Sequence, residues 1–288
     1  MQLILISGLS GSGKSVALRI LEDSGYFCVD NLPAEMLEGA CLSFMQANNP
    51  RVAISVDSRS GASLAELPQH ILNLQASHIN VRLLFLEANL NTLVKRFSES
   101  RRPHPLSNAD RTLPECVEIE RGMLAEVANL GLRIDTSDLS PVTLRMWIRD
   151  LAELDASKIT LLFQSFGFKH GLPLDADFVF DVRCLPNPHY DPALKPYTGR
   201  DACIIQYLEE QPGVQKMLKD IHAFINEWLP EFIRDNRSYL TIAIGCTGGQ
   251  HRSVYLAEQL AKRFSKEYQV LIRHRELTGL ISISSTKT

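Results

Sequence analysis

Two stretches of this chain have residue types and spacings suited to holding an anion. The first is Gly8-Leu9-Ser10-Gly11-Ser12-Gly13-Lys14-Ser15, which satisfies G-x-x-x-x-G-K-[ST] in full. Glycines let the backbone wrap until successive N–H groups point inward at a phosphate. A helix starting at the end of the loop turns its positive pole to the same anion. In that arrangement Lys14 reaches the β- and γ-phosphates and the Ser15 hydroxyl ligates Mg2+. An apolar run precedes the pattern and a helical one follows, which favours the phosphate loop over a merely flexible turn. A site of this kind also needs an acid to orient the metal. Asp57, at the end of another apolar run, takes that role in our reading. Asp30, at an equivalent place, would hold an acceptor or a water. Arg96, Arg101 and Arg102 fall in "LNTLVKRFSESRRPHPLS". They form either a lid whose guanidinium forks clamp phosphate oxygens or a solvated basic helix face.

The second stretch is "IGCTGGQHRS", in which five residues separate Cys246 from Arg252 and Ser253 follows. This is the C-x5-R-[ST] spacing of protein-tyrosine-phosphatase-like loops. Three readings are open. The Cys246 thiolate could act as a nucleophile, with Asp181 or Asp191 protonating the leaving group. The loop could hold a phosphorylated metabolite without attacking it. It could also be a tight turn around a buried thiol. Arg183, His189 and His251 could add polar contacts.

Both loops need a strand before them and a helix after them, and the sequence supplies these. Apolar runs at Gln2–Ser7, Tyr26–Pro33, Val52–Ser60, Val81–Ala88 and Leu132–Asp138 read as strands. Helical patterns lie between or after them at Ser15–Ser24, Leu64–Gln75, Leu90–Glu99, Leu113–Leu130 and Pro141–Leu154. Such alternation predicts an α/β fold, a parallel sheet wrapped by helices, with ligands at the edge where the strands end. A polar break at Asp155–Lys158 divides the 288 residues into domains 1–154 and 155–288. The second domain begins with "ITLLFQSFGFKHG" and "DFVFDVRCLPNPHYDP", with a Pro-rich irregular segment to Pro196, and reads as strands at "YLTIAIGC" and "YQVLIRHREL". Helices are expected at Ala202–Glu210, Val214–Phe232 and Ser253–Phe264, and a frayed end at "GLISISSTKT".

Hydrophobic residues make up 45% and charged residues 22% of the chain, the mix of an ordinary globular protein. A formal net charge of −3 does not advertise a nucleic-acid binder. None of the six cysteines forms a C-x-x-C pair, so free thiols are expected. "MQLILIS" is too short for a signal peptide or a membrane span. These features predict a cytoplasmic protein with no membrane association.

The chain resembles the RapZ family of bacterial nucleotide-binding proteins, also known as RNase adapter proteins. The likeness is carried by "SGLSGSGKSVALRILEDSGYFCVDNLP", "LLFLEANLNTLVKRFSESRRPHPLS", "SFGFKHGLPLDADFVFDVRCLPNPHYDP", "NRSYLTIAIGCTGGQHRSVYLAEQL" and "RHREL". The resemblance implies an N-terminal P-loop kinase-like domain that binds ATP at Gly8–Ser15. It implies GTP binding at a D-x-R-N segment, here Asp57-Ser58-Arg59-Ser60, with serine in the last place. Weak ATPase or GTPase activity at most is implied. The C-terminal domain would sense glucosamine-6-phosphate through Thr247, Gly248, Gly249, His251 and Arg252, with Arg183, His189, Ser238 and Cys246. Enterobacterial members bind small regulatory RNA and present it to an endoribonuclease that controls amino-sugar synthesis. Such members end in a run of Lys and Arg, whereas here a nearly neutral tail follows Arg273, His274 and Arg275. Fewer phosphate contacts predict weaker, less salt-dependent RNA binding, with Lys169, His170, Arg273 and Arg275 as the candidates. A homo-oligomer is also expected. The alternative is a small-molecule sugar kinase that uses the P-loop, Asp30 or Asp57, and the arginine lid.

Overall fold

The computed structural model describes residues 1–108, 110–154, 158–235, 237 and 239–277. Two compact units, Met1–Ser157 and Lys158–Thr288, make up the chain. Residues 155–157, where the boundary is expected, lie outside the described residues, as does the expected frayed end 279–288.

The first unit runs β1 (Gln2–Gly8), α1 (Lys14–Asp23), β2 (Phe27–Val29), α2 (Leu37–Gln46), β3 (Arg51–Ser55), α3 (Leu67–Ala76) and β4 (Asn80–Glu87). It continues through α4 (Leu90–Ser100), α5 (Leu113–Met123), α6 (Ala125–Ala128), β5 (Leu132–Asp135) and α7 (Pro141–Glu153). The sheet order is β2-β3-β1-β4-β5, and every pairing is parallel. Strands covered on both faces read as unbroken apolar runs, and Leu3, Ile4, Leu5 and Ile6 of β1 are fully buried. Leu3, Leu5, Val52, Ile54, Leu83 and Phe85 share one core with Leu37, Leu67 and Leu74. Each such side chain contributes about 1.5–3 kcal/mol by leaving water. Ile6 lies beside Ser55 on one side and Leu84 on the other, and because all three strands run parallel their following loops share an edge.

Several details depart from the pattern reading; the helix expected at Leu113–Leu130 is two, α5 and α6, and β5 stops at Asp135 rather than Asp138. β2 stops at Val29 rather than Pro33, because Asn31 takes a left-handed φ of 55°. β3 stops at Ser55 rather than Ser60, because Asp57 begins a 3-10 turn over Ser58–Glu66, its side chain accepting the Arg59 amide. α2 was not anticipated. Its buried residues are only Leu37 and Cys41, while Leu42 and Met45 are exposed, so no clean apolar stripe marks it.

The second unit runs β6 (Thr160–Gly167), β7 (Phe178–Asp181), α8 (Ala202–Glu209), α9 (Pro212–Arg234), β8 (Tyr239–Cys246), α10 (Arg252–Phe264) and β9 (Gln269–His274). Its sheet is also parallel, in the order β7-β8-β6-β9. Leu161, Phe163, Ile242 and Ile244 of the sheet pack with Leu256 and Leu260 of α10 and Ile221 and Ile225 of α9. The chain is therefore α/β throughout: a unit in which the Gly8–Ser15 loop joins β1 to α1, followed by a second α/β unit with its own strand–turn–helix junction. All six cysteines are free thiols. No helix among the described residues is long and apolar enough to cross a membrane.

Candidate phosphate-binding sites

The first loop is shaped by its glycines. Gly8 has φ +139°, and a β-carbon there would lie 2.0 Å from the Leu86 carbonyl oxygen of β4. Gly13 takes φ +107° immediately before α1. Lys14 is buried, and its Nζ donates to the Gly8 and Leu9 carbonyls at 2.7 and 3.2 Å. Burial lowers its pKa, while the Glu120 and Asp57 charges pull the other way. Ser15 is exposed on the first turn of α1. The buried Ser12 hydroxyl has no partner among the described residues.

Two residues outside the motif hold the loop from the side. The Thr136 hydroxyl, just past β5, donates to the Ser12 carbonyl at 2.9 Å. Arg96 of α4 donates to the Gly11 carbonyl at 3.1 Å and to the Thr136 hydroxyl and carbonyl at 3.0 and 2.6 Å. Arg96 thus braces the loop's backbone instead of acting as a clamp above the phosphates. Arg101 and Arg102 are exposed.

Pattern reasoning missed Glu120, on α5, which has no exposed surface. Its Oε1 accepts the Ser10 and Ser58 hydroxyls at 2.7 and 2.6 Å. Its Oε2 accepts the Ser10 amide at 2.8 Å and faces His104 Nε2 at 3.2 Å. Burial alone would raise the Glu120 pKa. The hydrogen bonds from His104, Ser58 and Ser10 outweigh it and bring the pKa to about 2. Glu120 is therefore an anion beside the loop. No local signal could have found it, because 110 residues separate it from Ser10.

Asp57 is buried, as a metal-orienting acid must be. One oxygen accepts the Arg59 amide at 3.0 Å. The other accepts the Asn31 amide at 2.9 Å when that side chain is turned to donate. Mg2+ usually keeps several waters and takes one or two protein oxygens plus phosphate oxygens. The Ser15 hydroxyl and the Asp57 carboxylate are donors of that kind. Within the Asp57–Ser60 segment, Ser58 is bound to Glu120, Arg59 is exposed, and the Ser60 amide donates to the Asp57 carbonyl at 3.0 Å.

The second loop, 246–251, joins β8 to α10. Cys246 is buried at its base. Its sulfur accepts the Gly249 amide at 3.2 Å and lies 3.1 Å from the Ser253 hydroxyl. Arg252 is buried, and its guanidinium donates to the Arg183 and Leu185 carbonyls at 2.8 and 2.9 Å and to the Thr247 hydroxyl at 3.4 Å. The buried His251 ring has an unpartnered Nε2 and lies 6.3 Å from the exposed His189 ring. Burial is the main cause of its lowered pKa, which the Tyr197 and Lys195 carbonyls partly offset. Arg183 lies over the Phe168 ring at 4.0 Å and pairs with Asp181 at 2.7 Å. Gly249 has φ +71°, and a β-carbon there would meet the Glu276 carboxylate at 2.3 Å. Glu276 is a second neighbour that the motif did not announce; burial raises its pKa. Thr247 is exposed and Gly248 half-buried on the rim, while Ser238 lies outside the described residues.

Of the basic residues considered for RNA, Lys169, His170 and Arg275 lie together, and Arg273 does not. Lys169 is exposed, and its amide donates to the Thr247 carbonyl at 3.3 Å, which puts it on the rim of the second loop. Its Nζ would be 4.0 Å from a β-carbon at Gly248. His170 is exposed. Arg275 donates to the Gly171 and His170 carbonyls at 3.0 and 3.3 Å. Arg273 is buried and lies 3.9 Å from the buried Asp175, so its guanidinium faces the interior and not a polyanion in solvent.

Residues 1–155 match the family model of the RapZ-like N-terminal domain, and residues 159–278 that of the RapZ C-terminal domain. A protein called "Nucleotide-binding protein" from Thiobacillus denitrificans is 60% identical over 278 residues, which is 96% of this chain and 100% of that one. One from Methylobacillus flagellatus is 60% identical over 96% of this chain and 99% of its own length. Among solved structures, a sugar kinase from Janibacter sp. aligns with 53% of this chain and 93% of its own, at 16% identity and a TM-score of 0.36. A shikimate kinase from Bacteroides thetaiotaomicron aligns with 53% and 98%, at 12% identity and a TM-score of 0.35.

Proposed function

This chain belongs to the RapZ family, and we propose that it is a regulatory protein with two anion sites. One binds ATP or GTP with Mg2+ at Gly8–Ser15 and Asp57–Ser60. The other senses glucosamine-6-phosphate at Thr247, Gly248, Gly249, His251 and Arg252, with Arg183, His189, Ser238 and Cys246 around it. One observation carries the reading. Each unit buries a cation, Lys14 in one and Arg252 in the other, where a glycine-rich turn meets a helix N-terminus at the end of a parallel strand. Both cations are held against backbone carbonyls, and a phosphate entering either turn would meet that positive charge together with helix N-terminal amides. The relatives named as nucleotide-binding proteins support the first site.

When bound, Mg2+ would neutralise charge between the outer phosphates. The chain's own part is to hold the phosphates with backbone amides and Lys14, and the metal with Ser15 and Asp57. Turnover at the first site is weak at most in this reading, because Glu120 is occupied by four hydrogen-bond contacts and is a poor base at a pKa of about 2. The sugar-kinase alternative finds a carboxylate at the exposed Asp30. The reading extends to a cytoplasmic homo-oligomer that presents a small regulatory RNA to an endoribonuclease. Exposed Lys169 and His170, with Arg275, are the basic residues that support an RNA contact.

A thermal-shift comparison tests the two sites together. A ligand at a hundredfold its Kd adds about 2.7 kcal/mol to the folded state. Lys14→Ala should lose the response to ATP and keep that to glucosamine-6-phosphate, and Arg252→Ala should do the reverse. Identical responses in both variants would refute the assignment. Transfer of label from ATP to the sugar would establish the kinase instead.

A further inference from the structure

The Glu120 carboxylate joins three segments of the first unit: Ser10 of the phosphate loop, Ser58 of the Asp57–Ser60 turn, and His104. His104 belongs to the segment that follows α4 and contains the exposed Arg101 and Arg102. We propose that Glu120 is a positioning residue that couples occupancy of the phosphate loop to the Arg101–Arg102 segment through His104. This rests on the nucleotide reading above.

A carboxylate offers about four acceptor sites. Two donors reach Oε1 and two reach Oε2, so the group has no spare capacity. The direction of the His104 bond is fixed by its other nitrogen. Nδ1 accepts the Leu106 amide at 3.1 Å, so a neutral ring carries its proton on Nε2 and donates it to Glu120. The Ser107 amide and hydroxyl both close onto the His104 carbonyl, at 2.9 and 2.6 Å, which makes the His104–Ser107 turn one unit. Phe97, near the end of α4, adds a second contact. A β-carbon at Gly11 would lie 3.2 Å from its ring, which is itself 5.2 Å from the His104 ring.

A phosphate drawn into the loop competes with Glu120 for the Ser10 amide and repels the carboxylate. Because every lone pair of Glu120 is engaged, any shift at Ser10 is passed to Ser58 or His104. Ser58 sits on a turn held by Asp57, whereas the His104 segment carries exposed arginines next in the chain. The arginine segment is thus where a change at the loop becomes visible from outside.

Trypsin reads this segment directly. It cuts after arginine, and because proline follows Arg102, cleavage here falls between Arg101 and Arg102. The full-length protein is digested with and without saturating ATP and Mg2+, while ATP binding is measured separately by calorimetry. In the unaltered protein the cleavage rate at Arg101 should change at least fivefold with ATP. In Glu120→Gln and His104→Ala the change should fall below twofold with ATP still bound, and His104→Gln, which keeps an amide donor near Nε2, should recover part of it. An ATP-dependent change that persists in His104→Ala would overturn the coupling. So would no change in the unaltered protein with ATP bound. If calorimetry finds no ATP binding to the unaltered protein, the nucleotide reading itself falls. Should Glu120→Gln fail to fold, the two His104 variants decide the question.

Discussion

Gly8 and the Leu86 carbonyl lie so close that a β-carbon on Gly8 would stand 2.0 Å from that oxygen. Strand β4 therefore presses directly on the opening residue of the phosphate loop, at a backbone φ of +139° that disfavours other residues. Gly8→Ala should cost about 3 kcal/mol, by overpacking together with backbone strain. The urea midpoint measures it. A cost below about 1 kcal/mol would mean that the loop can step away from β4.

Glu120 makes acid stability informative. Its folded pKa of about 2 lies below its ordinary value of 4.5. Its contribution is therefore complete above pH 4.5 and is lost as pH falls through about 2. The shift is worth about 3 kcal/mol. Glu120→Gln should show a shallower loss of stability than the unaltered protein across that window. Equal slopes in urea unfolding at several pH values would show that the carboxylate is not paired as described.

Arg96 braces three acceptors with one planar fork, a task a lysine cannot match. Arg96→Lys should lower stability by about 1–2 kcal/mol and weaken ATP binding by about tenfold. Calorimetry and thermal melting separate the two effects. Unchanged ATP affinity would show that the loop holds its shape without Arg96.

The C-x5-R spacing of the second loop makes a sharp chemical prediction. A covalent phosphatase needs an acid for its leaving group, and both candidates are engaged: Asp181 by Arg183 at 2.7 Å and Asp191 by the Ala193 amide at 2.9 Å. The unaltered protein should therefore release no phosphate from an aryl phosphate. Cys246→Ser should keep the thermal response to glucosamine-6-phosphate. Hydrolysis that disappears in Cys246→Ser would reverse this conclusion.

What could be read from the sequence was local. The phosphate loop, the alternation of strands and helices, and the second glycine-rich turn all reside in short windows, where type and spacing carry the signal. Glu120 could not be read this way, because its partners Ser10, Ser58 and His104 come from three distant segments. Arg273 looked like a surface cation because it stands in "RHREL", yet in β9 it is buried beside Asp175, a partner 98 positions away by residue number. α2 escaped notice because exposed Leu42 and Met45 blur its buried face. Pattern specifies the elements, but the partners of buried charges depend on packing.

Arg82 of β4 bears on how the first unit can be isolated. Its guanidinium donates to the Leu151 and Leu154 carbonyls at the end of α7, and the residue is almost wholly buried. A truncation ending ahead of Leu154 would leave that buried cation with one of its two carbonyl acceptors and would be expected to aggregate. An autonomous N-terminal fragment must retain Leu154, and its solubility as the cut site is moved one residue at a time should change abruptly there.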